Sequence, residues 1–416
     1  MATATTTPTR RPDKALIHAA IVIVVGVLAT TLAQTHLLGR IPIQNLLKNE
    51  LHADRTANAA FFFWAIFPWY FKPIAGILTD AFPLFGSRRR SYILISAGLG
   101  TLAWFGLSVT PHEYNKLLFV AIAINTFMVV ASTVVGGYMV EVAQATAGSG
   151  RLTALRNFVQ QACYMISGPV AGTLASIAFT WTAVACGSIL FLLIPATVFF
   201  LKEQRKYTDS DVLIAGAYKQ LGKIASARTM WAAAGLMALF YLAPGLQTAT
   251  FYKQQNDLHM NTEAQGILQL VFGIGGIVSA TGYGFLCRYW NLRRLLLWCL
   301  LGATITSLGY LFYTTPLRAQ IVETVYGFGF TLAELALMDL AIRATPAGSE
   351  GLGFSLMMSV RNLALFGTDW FGAKLMDQYH LPFNSLVIAN AATTLITVPL
   401  VFLLPKLIVG HKDAES

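Results

Sequence analysis

Long apolar runs separated by short polar stretches fill almost the whole chain. A helix needs about 20 mostly apolar residues to cross the hydrocarbon core of a bilayer. Twelve runs come near that length: 15–38, 58–78, 91–110, 117–140, 157–179, 183–201, 230–250, 264–286, 294–313, 320–342, 353–375 and 383–404. The longest polar interval, 202–229, divides them into six and six. The pattern predicts an all-α membrane protein with twelve transmembrane helices in two pseudo-symmetric six-helix bundles. The expected parts are an N-terminal bundle (1–201), a cytoplasmic linker (202–229) lying on the inner leaflet, and a C-terminal bundle (230–416).

Composition agrees with this pattern. Of 416 residues, 56% are hydrophobic and only 12% charged, too few charges to cover a soluble protein of this size, where about 25% is usual. The net charge is +10, but the basic residues sit in short loops rather than on one stripe with interleaved aromatics, so no nucleic-acid partner is expected. Twenty of the 29 Lys and Arg fall in the tails and the loops on one side, and seven on the other. The positive-inside rule then puts both termini and 202–229 in the cytoplasm of a cell inner (plasma) membrane protein. Residues 1–14 read as a tail, because Pro12-Asp13 follows Arg10-Arg11 where an export signal would turn apolar. Cys163, Cys186, Cys287 and Cys299 lack metal-ligand spacing and read as small buried hydrophobes.

The halves echo each other. Glu141 at the end of helix 4 leads into Ala-Thr-Ala-Gly-Ser, and Asp339 at the end of helix 10 leads into Ala-Thr-Pro-Ala-Gly-Ser; Arg156-Asn157 and Arg361-Asn362 follow. Duplicated six-helix halves are a known transporter plan. The sharpest motif joins helices 2 and 3: Gly76-Ile-Leu-Thr-Asp80-Ala-Phe-Pro-Leu-Phe-Gly86-Ser-Arg88-Arg89-Arg90. Gly76 would permit close helix approach, and Asp80 would meet a helix N-terminus or an arginine. Pro83 and Gly86 would tighten the turn. The ordered spacing predicts a latch made in one state and broken in another, with Glu141 and Arg151 as further members.

This segment resembles the loop signature of the major facilitator superfamily. With Trp69-Tyr-Phe-Lys72-Pro73-Ile-Ala-Gly76 in front of it, the chain is similar to the folate–biopterin transporter branch in particular. Leu242-Ala-Pro244-Gly245-Leu-Gln-Thr-Ala-Thr-Phe-Tyr252, Gly266 and Leu47-Lys-Asn-Glu50-Leu fit the same branch. The resemblance implies alternating access, commonly driven by protons, with helices 2 and 11 adjacent and helices 1, 4, 7 and 10 lining the cavity.

Ionisable residues inside spans are expensive unless they face a partner or water. Lys72 lies eight residues before Asp80, about 12 Å deep, and Arg361 lies at a similar depth in helix 11. Lys72 is either a partner of an acidic residue on helix 10 or 11 or a solute contact. Arg361 suits two-pronged grip of a carboxylate or phosphate. Glu323 and Glu334, three turns apart, share one face of helix 10. Glu334 is the leading proton-coupling candidate, with a static ion pair as the alternative. Asp369 and Glu323 are the other proton-coupling candidates. His18 is expected at the inner interface.

If helix 1 continues past Pro42, Arg40 enters the cavity as a solute contact. Gln34, Asn125 and Gln247 are further solute contacts, unless they serve to glue helices together. Ala243-Pro244-Gly245 is the expected bend.

No catalytic motif, nucleotide loop, cofactor site or metal site is legible, so the chain is expected not to be an enzyme. The expected function is secondary transport of a small amphipathic organic anion, with protons as a second partner, by a monomer in the lipid bilayer. A non-transporting assembly factor of the same fold and an exporter of unknown small molecules are the rival readings.

Overall fold

The computed structural model describes residues 14–146, 149–201, 210–287, 289–346 and 349–410. The first crossing is α1 (Lys14–Leu32) followed, after a break at 33–39, by α2 (Arg40–Asn49). The second is split into α3 (Arg55–Ala65), α4 (Phe67–Tyr70) and α5 (Lys72–Ala81). Then come α6 (Arg90–Val109), α7 (Tyr114–Thr146) and α8 (Ser149–Ala175), and a sixth crossing from α9 (Phe179–Phe191) and α10 (Leu193–Phe200). A connecting helix α11 (Ser210–Ser226) packs against α5.

The second half opens with α12 (Arg228–Tyr241) and α13 (Gln247–Asn256), again one crossing broken midway. It continues with α14 (Thr262–Leu286), α15 (Leu292–Ser307) with a 3₁₀ extension, α16 (Pro316–Ala344), α17 (Glu350–Asp377), α18 (Phe383–Leu400) and the short α19 (Lys406–Val409).

Among the described residues, seven helices are individually long and apolar enough to span a membrane. The other five crossings are broken into pieces or carry polar and charged residues along their length, which hydropathy alone undervalues. Most helices also run a few residues past the apolar runs, into ends where water can satisfy the backbone. The molecule is a multi-pass membrane protein of two six-helix bundles. One large buried cluster draws on residues 22–201 plus Phe366, and two others lie wholly within 224–409.

The bundles meet where small residues let backbones touch. A side chain at Gly168 of α8 would overlap the Gly266 carbonyl of α14, and one at Gly172 would overlap the Thr262 carbonyl. In lipid, helix association relies on such packing because expulsion of water no longer drives it. Helix 2 and helix 11 are also neighbours, through the α3–α17 contact.

At the face opposite the termini, polar bolts join the halves. Arg55 Nε donates to Asp377 Oδ1 at 2.8 Å, and Thr56 donates its N–H and hydroxyl to Asp377 Oδ2 at 2.8 and 3.0 Å. Lys48 Nζ donates to Gln255 Oε1 at 2.8 Å and to Asn256 Oδ1 at 2.6 Å. The Tyr252 hydroxyl donates to the Ala53 carbonyl.

Candidate functional site

Two helix breaks create the site. In the first crossing the chain leaves helix at Ala33 and re-enters it at Arg40, where Gly39 sits against the Trp104 ring and the Thr35 backbone. Helix therefore does continue past Pro42, the condition on which Arg40 was placed in the cavity, but only after a break. In the seventh crossing Pro244 has no N–H to give, so the helix cannot run on.

The carbonyls and amides freed there are satisfied by neighbours, as lipid-embedded breaks require. Thr368 Oγ1 donates to the Tyr241 carbonyl at 2.9 Å, and Asn390 Nδ2 to the Pro244 carbonyl at 2.9 Å. The Gly245 N–H donates to the Thr368 carbonyl at 2.9 Å. Gly245 is required here, since a Cβ would run into the Asp369 backbone.

Between the breaks lies a chamber of about 300 Å³. The first crossing lends it His36, Arg40, Ile41 and Gln44, and the C-terminal bundle supplies the rest. Helices 8, 9, 11 and 12 contribute alongside 1, 7 and 10, while helix 4, expected to line it, does not.

One wall is aromatic. Phe240 and Phe330 stand 6.1 Å apart, Phe330 and Tyr326 5.6 Å, and Tyr326 and Tyr310 5.0 Å between ring centroids, with Phe272 beside them. At the Tyr310 end sits Glu323, 7% exposed. Its Oε2 accepts from the Tyr310 hydroxyl at 3.0 Å and its Oε1 from the Tyr313 hydroxyl at 2.9 Å.

Arg40 lines the chamber with its guanidinium over the Phe62 ring, 5.2 Å from the centroid. Its Nη2 lies 3.6 Å from Asp369 Oδ2, an ion pair without a hydrogen bond, and this buried nitrogen has no hydrogen-bond partner. Asp369 also accepts from the Thr248 N–H at 2.9 Å and the Thr248 hydroxyl at 2.6 Å. Gln44 Nε2 and His36 Nδ1, also in the lining, are likewise buried without a partner. Gln247 lines the chamber as expected.

Other expected contacts lie elsewhere. Arg361 and Glu334 do not line the chamber; they pair with each other. Arg361 Nε donates to Glu334 Oε1 at 2.7 Å, and its Nη2 makes a second contact with the same oxygen. The Tyr241 hydroxyl donates to Glu334 at 3.1 Å and accepts from Arg361 Nε at 3.1 Å. Tyr241 lines the chamber, so the ion pair stands one side chain behind its wall.

Lys72 is also outside the lining. Its Nζ lies 3.4 Å from Ser132 Oγ and 5.1 Å from the Trp69 ring centroid. Among the described residues it has no carboxylate partner on helix 10 or 11. Gln34 turns back to the Thr30 carbonyl at 2.6 Å. Asn125 is consumed by Thr35, the Ala121 carbonyl and Trp69 at 2.8, 2.9 and 3.0 Å, tying the first break to helix 4. Neither lines the chamber: Asn125 joins elements, while Gln34 bonds back along its own helix.

The loop motif forms a tight turn in which Leu84 and Ser87 exchange backbone hydrogen bonds at 3.0 Å. Gly86 has φ 75°, a left-handed value that favours glycine. Arg89 is buried and donates to Glu141 Oε1 at 3.1 and 2.8 Å, in a space that Gly137 leaves free. This pair lies inside the N-terminal bundle. Arg90 reaches the Val198 carbonyl at 3.4 Å, and Arg88 also makes side-chain interactions. Gly76 faces only the Thr133 methyl at an ordinary 3.6 Å, so close helix approach is not what it provides. The side chains of Asp80 and Arg151 lie outside the described residues.

Sequence reasoning missed His36, Gln44, Tyr241, Thr248, Tyr310 and Tyr313. Gln44, on a helical stretch just beyond Arg40, was the available signal.

Two six-helix bundles enclosing a central chamber, with broken first and seventh helices, give the major facilitator fold. The fold matches a D-xylose–proton symporter (TM-score 0.70, 12% identity, 94% of this chain and 98% of that one). It also matches the nucleoside transporter NupG (TM-score 0.66, 12% identity, 95% and 99%). The chain belongs to the BT1 family, whose model matches residues 34–416.

Among its relatives are the folate-biopterin transporter of Synechocystis sp. (26% identical, covering 88% of this chain and 78% of that protein) and folate transporter 1 of Plasmodium falciparum (21%, 91% and 78%). The protein is a transporter of a small-molecule solute, not an enzyme.

Proposed function

We propose that the protein is a secondary transporter that moves an amphipathic organic anion of folate or pterin type by alternating access, coupled to protons. The observation that carries this reading is Arg40: a buried guanidinium lining the chamber with Nη2 making no hydrogen bond, in a lining that also holds an aromatic wall. A flat ring can stack on the wall, and an anionic group can take the free nitrogen. The names of the relatives support the same solute class.

Coupling follows from charge balance. An arriving anion competes with Asp369 for Arg40, and proton uptake by Asp369 removes the competitor. Proton and anion binding thereby favour each other. Glu334, behind Tyr241, is the second coupling carboxylate, freed when Arg361 is drawn elsewhere. In this reading Arg361 and Lys72 act outside the closed chamber, on the solute's path rather than in its resting place. The loop from Gly76 to Arg90, with Arg89–Glu141 at its centre, governs the change of state. The protein works as a monomer in the plasma membrane with both termini cytoplasmic, as the Lys and Arg distribution supports.

The test is counterflow in proteoliposomes with purified protein and labelled folate, pterins and unrelated anions. Wild type should exchange folate or pterin. Arg40→Gln should cut exchange by about a hundredfold, the worth of a charge-assisted contact of ~2.7 kcal/mol, while the protein stays monodisperse. Glu334→Gln should flatten the pH dependence. Full exchange by Arg40→Gln removes it from the site, and absence of flux in wild type favours an assembly factor.

A further inference from the structure

We propose that Glu323, held by Tyr310 and Tyr313, is a specificity subsite for a flat solute edge bearing two adjacent N–H donors, as in an amidine-like ring. The proposal rests on the chamber being the solute site.

The hydrogen bonds around Glu323 form a directed chain. Gln255 Nε2 donates to Gln265 Oε1 at 3.2 Å, Gln265 Nε2 to Gln254 Oε1 at 3.1 Å, and Gln254 Nε2 to the Tyr313 hydroxyl at 2.8 Å. Tyr313 receives a hydrogen from Gln254 and sends its own to Glu323 at 2.9 Å. Tyr310 sends its hydrogen to the other carboxylate oxygen at 3.0 Å. Successive donors all point toward Glu323, which fixes it as an acceptor and polarises the chain in one sense.

A carboxylate offers about four lone-pair positions, and the tyrosines fill one on each oxygen. Among the described residues Glu323 has no ion-pair partner, so no protein cation claims the remainder. One open position on each oxygen matches a pair of parallel N–H groups, the same fork geometry by which guanidinium meets carboxylate.

The surroundings select for flatness. Tyr310 and Tyr326 stand 5.0 Å apart beside the carboxylate, and the aromatic wall runs on from them to Phe330. A solute would present its donor edge to Glu323 and its ring face to the wall. Its anionic end would go to Arg40, contributed by the other bundle. Glu323 was expected to carry protons. Its two tyrosine donors and its place in the lining instead suit recognition.

The probes are 2-amino-4-oxopteridine and its 2-desamino analogue, competing against labelled folate in counterflow and titrated calorimetrically into the full-length protein. Wild type should prefer the amino compound by about tenfold or more, since a site built for a solute N–H rejects the analogue that lacks it. Glu323→Gln keeps one acceptor and presents one donor, and should bring the ratio close to one. Tyr313→Phe should give an intermediate ratio.

Equal competition in wild type overturns the subsite without any variant. Retained discrimination in Glu323→Gln also overturns it, and an accompanying shift of the pH profile would make Glu323 a proton carrier. Selective calorimetric binding without counterflow upholds the subsite while defeating the transport reading.

Discussion

At the scale of single residues, Arg361 and Glu334 answer each other's charge in a half-buried position behind the chamber wall. Removing one partner leaves the other without its counter-charge, at a cost of about 1–3 kcal/mol, whereas removing both can be nearly neutral. Arg361→Gln should therefore lower the thermal midpoint in detergent by several degrees. Arg361→Gln with Glu334→Gln should recover most of the loss; a double variant no more stable than the single would mean that the pair is not what holds this region.

Sequence reading could not pair Arg361 with Glu334, because a position along a helix fixes height and leaves azimuth open. Arg40 lies just beyond the apolar run 15–38, and only the condition that helix 1 continues past Pro42 brought it into the cavity. For Asn125 and Gln34 the sequence left a solute contact and a structural role both open. A polar side chain in a span looks the same on paper whether it meets a solute or its own helix's carbonyl. Tyr310 and Tyr313, near the end of a span, resemble interfacial aromatics, and only the packing of α16 against α15 turns them toward Glu323.

At the scale of elements, the legible feature was the break at Ala243-Pro244-Gly245, because proline removes a donor whatever surrounds it. What could not be read was how the break is satisfied, since Thr368, Asp369 and Asn390 lie more than a hundred residues away. The break is bolted to α17, and Gly245 and Gly372 touch there backbone to backbone. Gly245→Val should push α13 from α17, costing about 1–3 kcal/mol by overpacking and separating Thr248 from Asp369. Purified yield and transport should both fall. Gly235→Ala, at an open position of α12, should leave yield unchanged, and equal yields for the two variants would argue against a bolted break. The α8–α14 crossing follows the same rule. Gly266→Leu should part the bundles at that face, read out as faster proteolysis of the 257–261 loop.

At the scale of the whole molecule, access from the face opposite the termini is closed by Arg55, Thr56 and Asp377, and by Lys48 with Gln255 and Asn256. These contacts span the bundles, so they must part when that face opens. Asp377→Ala removes three hydrogen bonds at once and should shift the population toward the open state by about 5–150-fold, the usual range of a conformational coupling energy. A cysteine in the lining, Thr250→Cys, should then react faster with a bulky impermeant thiol reagent applied at that face. An unchanged labelling rate would mean that other contacts set the closed state.

The chamber's uneven ownership has a mechanical consequence. The aromatic wall and Glu323 belong to one bundle and Arg40 to the other. In the cycle proposed above, with an anionic ring compound as passenger, the ring can stay seated on its own side while the charged tail is the handle by which the opposite side is drawn shut. A compound with the ring but no tail would board and never signal departure, so it should occupy the protein as a plug rather than cross as cargo.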